Sequence, residues 1–191
     1  YDMALSCGDF SEFIVSTRPD CVEDDVADLL AEYITKDREV WVELGLQSAS
    51  DETLRRINRG HTLSDYIKCM ERLHKRGIKV CTHVILGLPG EEREDFIETA
   101  KVLNKVGSEG VKIHNLHIPG GTKMAEEYLE GEITSWSTER YMNEVEYFLR
   151  LLNPEMIIER LVCETPSHRL MAPRHFMDKS LFLRTLNDKM E

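Results

Sequence analysis

The side chains best able to do chemistry in this 191-residue chain fall in a few short stretches. Glu43-Leu44-Gly45-Leu46-Gln47 and His83-Val84-Ile85-Leu86-Gly87 interleave apolar residues with a carboxylate, an amide and an imidazole, and Lys112-Ile113-His114 repeats the pattern. Such groups can carry a proton, bind an anion or ligate a cation. Arg59, in Asn58-Arg59-Gly60-His61, has a fork that suits two oxygens of one carboxylate, and it equally suits a solvated cation at a helix end. Gly87-Leu88-Pro89-Gly90-Glu91 can turn its backbone N–H groups toward a ligand, or simply connect a strand to a helix. Pro119-Gly120-Gly121-Thr122 is a weaker signal of the same kind. Cys7, Cys21, Cys69, Cys81 and Cys163 are scattered, with no C-x-x-C or C-x-x-x-C spacing, so neither a zinc ribbon nor a cluster loop is encoded. Free thiols so placed fit small buried hydrophobes in a reducing, cytoplasmic compartment.

The elements that must position these groups alternate. Apolar and β-branched runs predict strands over 13–17, 40–46, 78–86 and 110–118. Helical spacing predicts helices over 26–33, from 50 to near 60, from 62 to 76, over 91–106 and after 122. Beyond about 135 the chain changes character: a helix over 138–152, a further strand within 156–163, a loop over 164–175 and a closing helix over 176–190. Strands alternating with helices make βαβ units and a parallel sheet, so the class is α/β. With no dinucleotide fingerprint, a barrel-like sheet fits better than an open doubly wound one. A full eight-unit barrel needs about 250 residues, so four units amount to half a barrel or a fragment.

Strand side chains alternate between faces. One face carries Val42, Leu44, Leu46, Val80, Thr82, Val84, Val111 and Ile113; the other carries Glu43, Gly45, Gln47, Cys81, His83, Ile85, Gly87, Lys112, His114 and Leu116, joined by Ile14, Ser16 and Arg18. A parallel strand covered by helices on both sides is apolar on both faces. These strands therefore predict helices on one side and a functional lumen on the other. Any one of these polar residues could be a satisfied interior group, but four strands coincide.

Lys and Arg number 24 against 35 Asp and Glu, a net charge of −11, with 41% hydrophobic and 31% charged residues. That is too apolar for a disordered chain, and too acidic to favour a nucleic-acid or anionic-membrane partner. No run approaches the roughly 20 apolar residues of a membrane span. The start, Tyr-Asp-Met-Ala-Leu-Ser-Cys, lacks a signal peptide and reads as the tail of a helix, so the chain is expected to be a piece of something longer.

In combination and order, Ser16-Thr17-Arg18-Pro19-Asp20-Cys21, Glu43 to Ser48, Ile57 to His61 and His83 to Glu91 resemble the radical S-adenosylmethionine (SAM) enzymes. The likeness is to the group around the Elongator catalytic subunit and oxygen-independent coproporphyrinogen oxidase, and it covers nearly all of residues 10–190. The resemblance implies a partial TIM-like (β/α)6 barrel, strands three to six, over residues 1–135, with a C-terminal extension over 136–191 packed on it. It implies that Gln47 meets the cofactor's ribose, Arg59 the methionine carboxylate, and Ile85 and Gly87 the adenine. Ser16, Glu43 and His83 are further cofactor-side candidates, with Lys112 and His114 on a substrate wall. His83 stands where some relatives carry an acidic ribose contact. The C-x-x-x-C-x-x-C loop that holds the [4Fe–4S] cluster, whose electron cleaves SAM to a 5′-deoxyadenosyl radical, is absent together with the first two strands. The chain by itself is thus expected to bind neither cofactor and to be inactive, both belonging to a longer parent whose substrate is not legible. The Elongator likeness suggests a tRNA; the charge disfavours one.

Two other readings remain open at this level. One is a metal-dependent barrel enzyme built on His83, His114 and Glu43, with His117 on the opposite face. The other is a non-catalytic interaction module, whose exposed strand edge would pair two copies into a dimer.

Overall fold

Val40, Val42, Leu44 and Leu46 alternate along one strand, and Val80, Val84 and Leu86 along the next, every one of them buried. The computed structural model describes residues 1–190 and forms them into a five-stranded parallel sheet packed on one face. The elements run α1 (Asp2–Leu5), β1 (Glu12–Thr17), a 3-10 turn (Pro19–Cys21), α2 (Asp24–Ala31), β2 (Glu39–Gln47), α3 (Asp51–Arg56), α4 (Leu63–His74), β3 (Lys79–Leu86) and α5 (Arg93–Val106). They continue with β4 (Gly110–Asn115), β5 (Ile118–Pro119), α6 (Lys123–Leu129), α7 (Thr138–Leu151), β6 (Ile157–Arg160), β7 (Leu170–Ala172) and α8 (Lys179–Met190). The sheet order is β1-β2-β3-β4-β6, so each strand pairs with its predecessor in the sheet, as in a barrel opened along one seam.

Helices α2, α4, α5, α7 and α8 cover the apolar face. Leu30 of α2, Tyr66, Met70 and Leu73 of α4, Phe96 and Leu103 of α5, Val145 and Phe148 of α7 and Phe182 of α8 form one core with the inward residues of β2, β3 and β4. Each large aliphatic side chain fully buried there contributes roughly 1.5–3 kcal/mol. Tyr66 and Thr82, both fully buried, share a 2.7 Å hydroxyl contact that satisfies their polar atoms inside this layer. The α4 start is fixed by a capping box: Thr62 Oγ1 accepts from the Asp65 N–H, and Asp65 Oδ2 accepts from the Thr62 N–H at 2.8 Å. Among the described residues no helix is long and apolar enough to cross a membrane.

Three elements differ from the sequence expectation. The strand over 110–118 stops at Asn115, and Ile118–Pro119 pairs antiparallel with β7 instead. A straight continuation would leave Leu116 on the open face with Lys112 and His114; the turn buries it in a second apolar cluster with Leu88, Ile118, Ala125, Ile133 and Ala172. The segment expected as loop over 164–175 contains β7, three residues too short to show a period. The helix expected to reach residue 60 ends at Arg56, because Asn58 takes a left-handed φ of 53° and Arg59 leaves the helical path.

A sheet packed on one face makes Leu44 and Ile14 unequal, since Leu44 is wholly buried and Ile14 is 47% exposed at the edge. Urea unfolding should show Leu44→Ala costing about 3 kcal/mol and Ile14→Ala under about 1 kcal/mol; equal losses would contradict the one-sided core.

Candidate cofactor and substrate site

At its carboxyl end β2 slips out of register with β3, where a bulge falls between Gly45 and Gln47. Gln47 there has φ 76°, a left-handed conformation that costs a non-glycine residue energy and that concentrates at functional sites. The bulge re-aims the end of the strand. Arg59, released from α3, lies back across this strand, and its Nη2 donates to the Gly45 carbonyl at 3.1 Å. Only glycine permits this. A Cβ at position 45 would collide with Arg59 Nη2 and stand 2.7 Å from Gln47 Nε2. Arg59 Nε is buried without a partner. Burial, and then the neighbouring Arg18 guanidinium, lower the Arg59 pKa from its ordinary value. A half-buried cation with an unbonded nitrogen is set to receive an anion. Gly45, Gln47 and Arg59 thus fit the carboxylate end of an amino-acid-bearing cofactor.

Deeper on the same face runs a second group. Glu43 accepts from Ser16 Oγ at 2.7 Å and from Lys112 Nζ, and Lys112 Nζ also meets Glu159 Oε2 of β6 at 3.0 Å. Burial opposes ionisation of both partners, yet the bonds from Lys112 and Ser16 hold Glu43 below its ordinary pKa, and the two carboxylates hold Lys112 above its own. His83 Nε2 stands 3.3 Å from Glu43 Oε2 without hydrogen-bonding geometry. Burial lowers the pKa of His83, and pushes His114 down to about 4. Both imidazoles are therefore neutral near pH 7, so the His83–Glu43 approach is not an ion pair. Their ring centroids are 5.3 Å apart, and the Nε2 of each lacks a partner. The result is a wall of neutral imidazoles beside a row in which one ammonium is shared by two carboxylates, chemistry suited to a polar substrate group.

Alternation along β3 sets Ile85 on the open face, where it packs against the second apolar cluster together with Ile57. Gly87 lies one residue past the strand. It adopts φ 94°, and the space of its missing side chain is filled by the Trp136 indole at 3.2 Å. Beyond it Glu91 is only 5% exposed and accepts from Ser48 Oγ, which ties the turn after β3 to the end of β2. Burial raises the Glu91 carboxyl to about 7, partly opposed by the Ser48 hydroxyl. A cleft of about 680 Å³ opens beside this turn, lined by Thr53, Arg56, Glu132, Trp136 and Arg140 among others. It does not reach the Glu43–His114 row.

The structure therefore brings together Ser16, Glu43, His83, Lys112 and His114, and separately Gln47 and Arg59, with Ile85 beside His114 in the strand register. His117 turns away, its Nδ1 2.8 Å from Thr165 Oγ1. Sequence reading missed Glu159, because Ile157-Ile158-Glu159-Arg160 shows no alternation that would assign it to a face. It also missed the clearance at Gly45, which no local pattern marks. Among the described residues no three His, Cys, Asp or Glu side chains converge to hold a metal ion. Cys69 and Cys81 are buried, and burial raises their pKa, that of Cys69 to about 12, against the thiolate form that an iron–sulfur cluster requires. The residues present thus fit the carboxylate end of SAM at Arg59 and do not fit the cluster.

The sequence matches the Radical SAM superfamily over residues 8–103 and the Radical_SAM C-terminal domain over residues 108–191. It is 45% identical to the protein MJ0486 of Methanocaldococcus jannaschii over 84% of this chain and 50% of that protein. It is 37% identical to YtqA of Bacillus subtilis over 100% of this chain and 59% of that protein. The chain thus spans between 50% and 59% of the length of these curated relatives. Among solved structures, the archaeal Methanocaldococcus infernus Elp3 superposes with a TM-score of 0.77 at 25% identity, covering 93% of this chain and 41% of that one.

The buried Glu91 makes a pH-dependent prediction. A carboxyl raised from 4.5 to about 7 favours the native state below pH 4.5 and loses that stabilisation as pH rises through 7. Relative to Glu91→Gln, the parent chain should lose about 3 kcal/mol of unfolding free energy between pH 4.5 and 8. Parallel stability curves for the two would contradict the protonated, buried carboxyl.

Proposed function

The chain belongs to the radical SAM superfamily, and we propose that within a longer parent enzyme it supplies the SAM-holding wall and the substrate wall of the barrel. The observation that carries this reading is Arg59: a half-buried guanidinium, laid over a glycine beside a left-handed glutamine, with one nitrogen unbonded. Arg59 would take the methionine carboxylate, Gln47 the ribose hydroxyls, and Ile85 with the Gly87 backbone the adenine face. When bound and reduced, SAM supplies the hydrogen-abstracting chemistry of the family. The chain's own residues orient it and line the space below. There His83 and His114 face the substrate as neutral hydrogen-bonding groups, and Lys112, paired with Glu43 and Glu159, adds polarity without a free cation.

The cluster ligands would come from the part of the parent outside this chain, on strands completing the barrel along β1. That edge pairs on one side only, with Ile14 exposed. In this reading residues 1–135 form the barrel portion and 136–191 the extension, and the separated chain is inactive and pairs with a second copy through the open edge. The test uses the full gene product purified without oxygen. It should carry iron and sulfide and release 5′-deoxyadenosine from SAM under reduction, while residues 1–191 alone should do neither. Absence of iron and of cleavage in the full protein would overturn the reading.

A further inference from the structure

β1 and β2 pair in parallel with Thr17 opposite Leu44, and Arg18 continues extended at φ −111° and ψ 155°. Alternation therefore brings the Arg18 side chain to the open face beside Gly45, the residue that Arg59 crosses. This places the Arg18 guanidinium against the Arg59–Gly60 segment. Arg18 Nη1 and Nη2 lie 3.8 and 4.0 Å from where a Cβ of Gly60, the residue after Arg59, would stand. Two like charges side by side repel, and Arg18 lowers the Arg59 pKa accordingly. Asp20 offsets this, accepting from Arg18 Nε at 3.1 Å and from Nη2 at 2.5 Å.

That fork uses one edge of Arg18 and leaves Nη1 free; on Arg59 it is Nε that is unbonded. Two guanidiniums and one aspartate leave a single positive charge, which one carboxylate would neutralise. We propose that Arg18 is a second direct contact to the cofactor carboxylate, oriented by Asp20, so that the carboxylate sits between two guanidiniums. A surface arginine tethered only for stability would not need to reach the Arg59–Gly60 segment. The assignment rests on reading Arg59 as the first carboxylate contact.

The test measures Kd for SAM and for decarboxylated SAM, which lacks only the carboxylate, in the anaerobic full gene product. Arg18→Gln should weaken SAM about tenfold and leave decarboxylated SAM within about twofold, the selectivity expected when one charge-assisted bond is lost. Arg18→Lys, which keeps the charge without the fork, should fall between and guards against a folding defect, with circular dichroism as a check. Equal losses for both ligands, or no loss for either, would overturn the role of Arg18. If Arg59→Gln likewise shows no carboxylate-selective loss, the reading of Arg59 fails first and takes this one with it.

Discussion

A guanidinium half out of water does not hold its own position well. It has several rotatable bonds and costs free energy to desolvate unless its donors are met. At the end of β2 the position of Arg59 is imposed by the backbone. Gly45 leaves a strip of strand bare, its carbonyl takes one Nη2 proton, and the left-handed Gln47 turns the strand end so that the amide stands alongside. Asn58, also left-handed, releases the chain from α3 just before Arg59 so that it can reach back. Strain at two non-glycine residues and one missing side chain together fix one cation, and the other features of the open face are arranged around it.

Charge on that face is partitioned by depth. Near the mouth, Arg59 and Arg18 exceed Asp20 by one positive charge. Below, Lys112 is shared between Glu43 and Glu159, and burial keeps His83 and His114 neutral. An anion entering the face finds an uncompensated cation only at the mouth, so electrostatics alone orient a ligand with its carboxylate end outermost. The helix-covered face has no such gradient: it is aliphatic and aromatic, with a few hydroxyls bonded to one another.

Much of this was legible in the sequence because a parallel sheet with consecutive strand order converts a period of two directly into faces. Glu43, His83, Lys112 and His114 could be grouped without knowing the packing; in the structure Glu43 meets Lys112 and His83, and the His114 ring lies against that of His83. What depended on distant partners was not legible. Glu159 sits on a four-residue strand, β7 exists only because β5 pairs with it, and Leu116 leaves the strand for an apolar cluster assembled from five other segments of the chain. Gly87 illustrates the same limit. Its sequence context shows a turn, but that the Trp136 indole closes the space behind it follows from a contact nearly fifty residues away.

The central claim is that bare backbone at Gly45 creates the anion site by admitting Arg59. Replacing Gly45 by Ala in the full gene product tests this most directly, because the strand backbone there accepts a methyl group and only the side chains above it must move. Equilibrium binding should show SAM affinity falling by about tenfold or more while the unfolding midpoint stays within a few degrees of the parent, roughly the loss of one charge-assisted contact. Unchanged SAM affinity in Gly45→Ala would show that Arg59 does not act from that position, and the account would be wrong at its root.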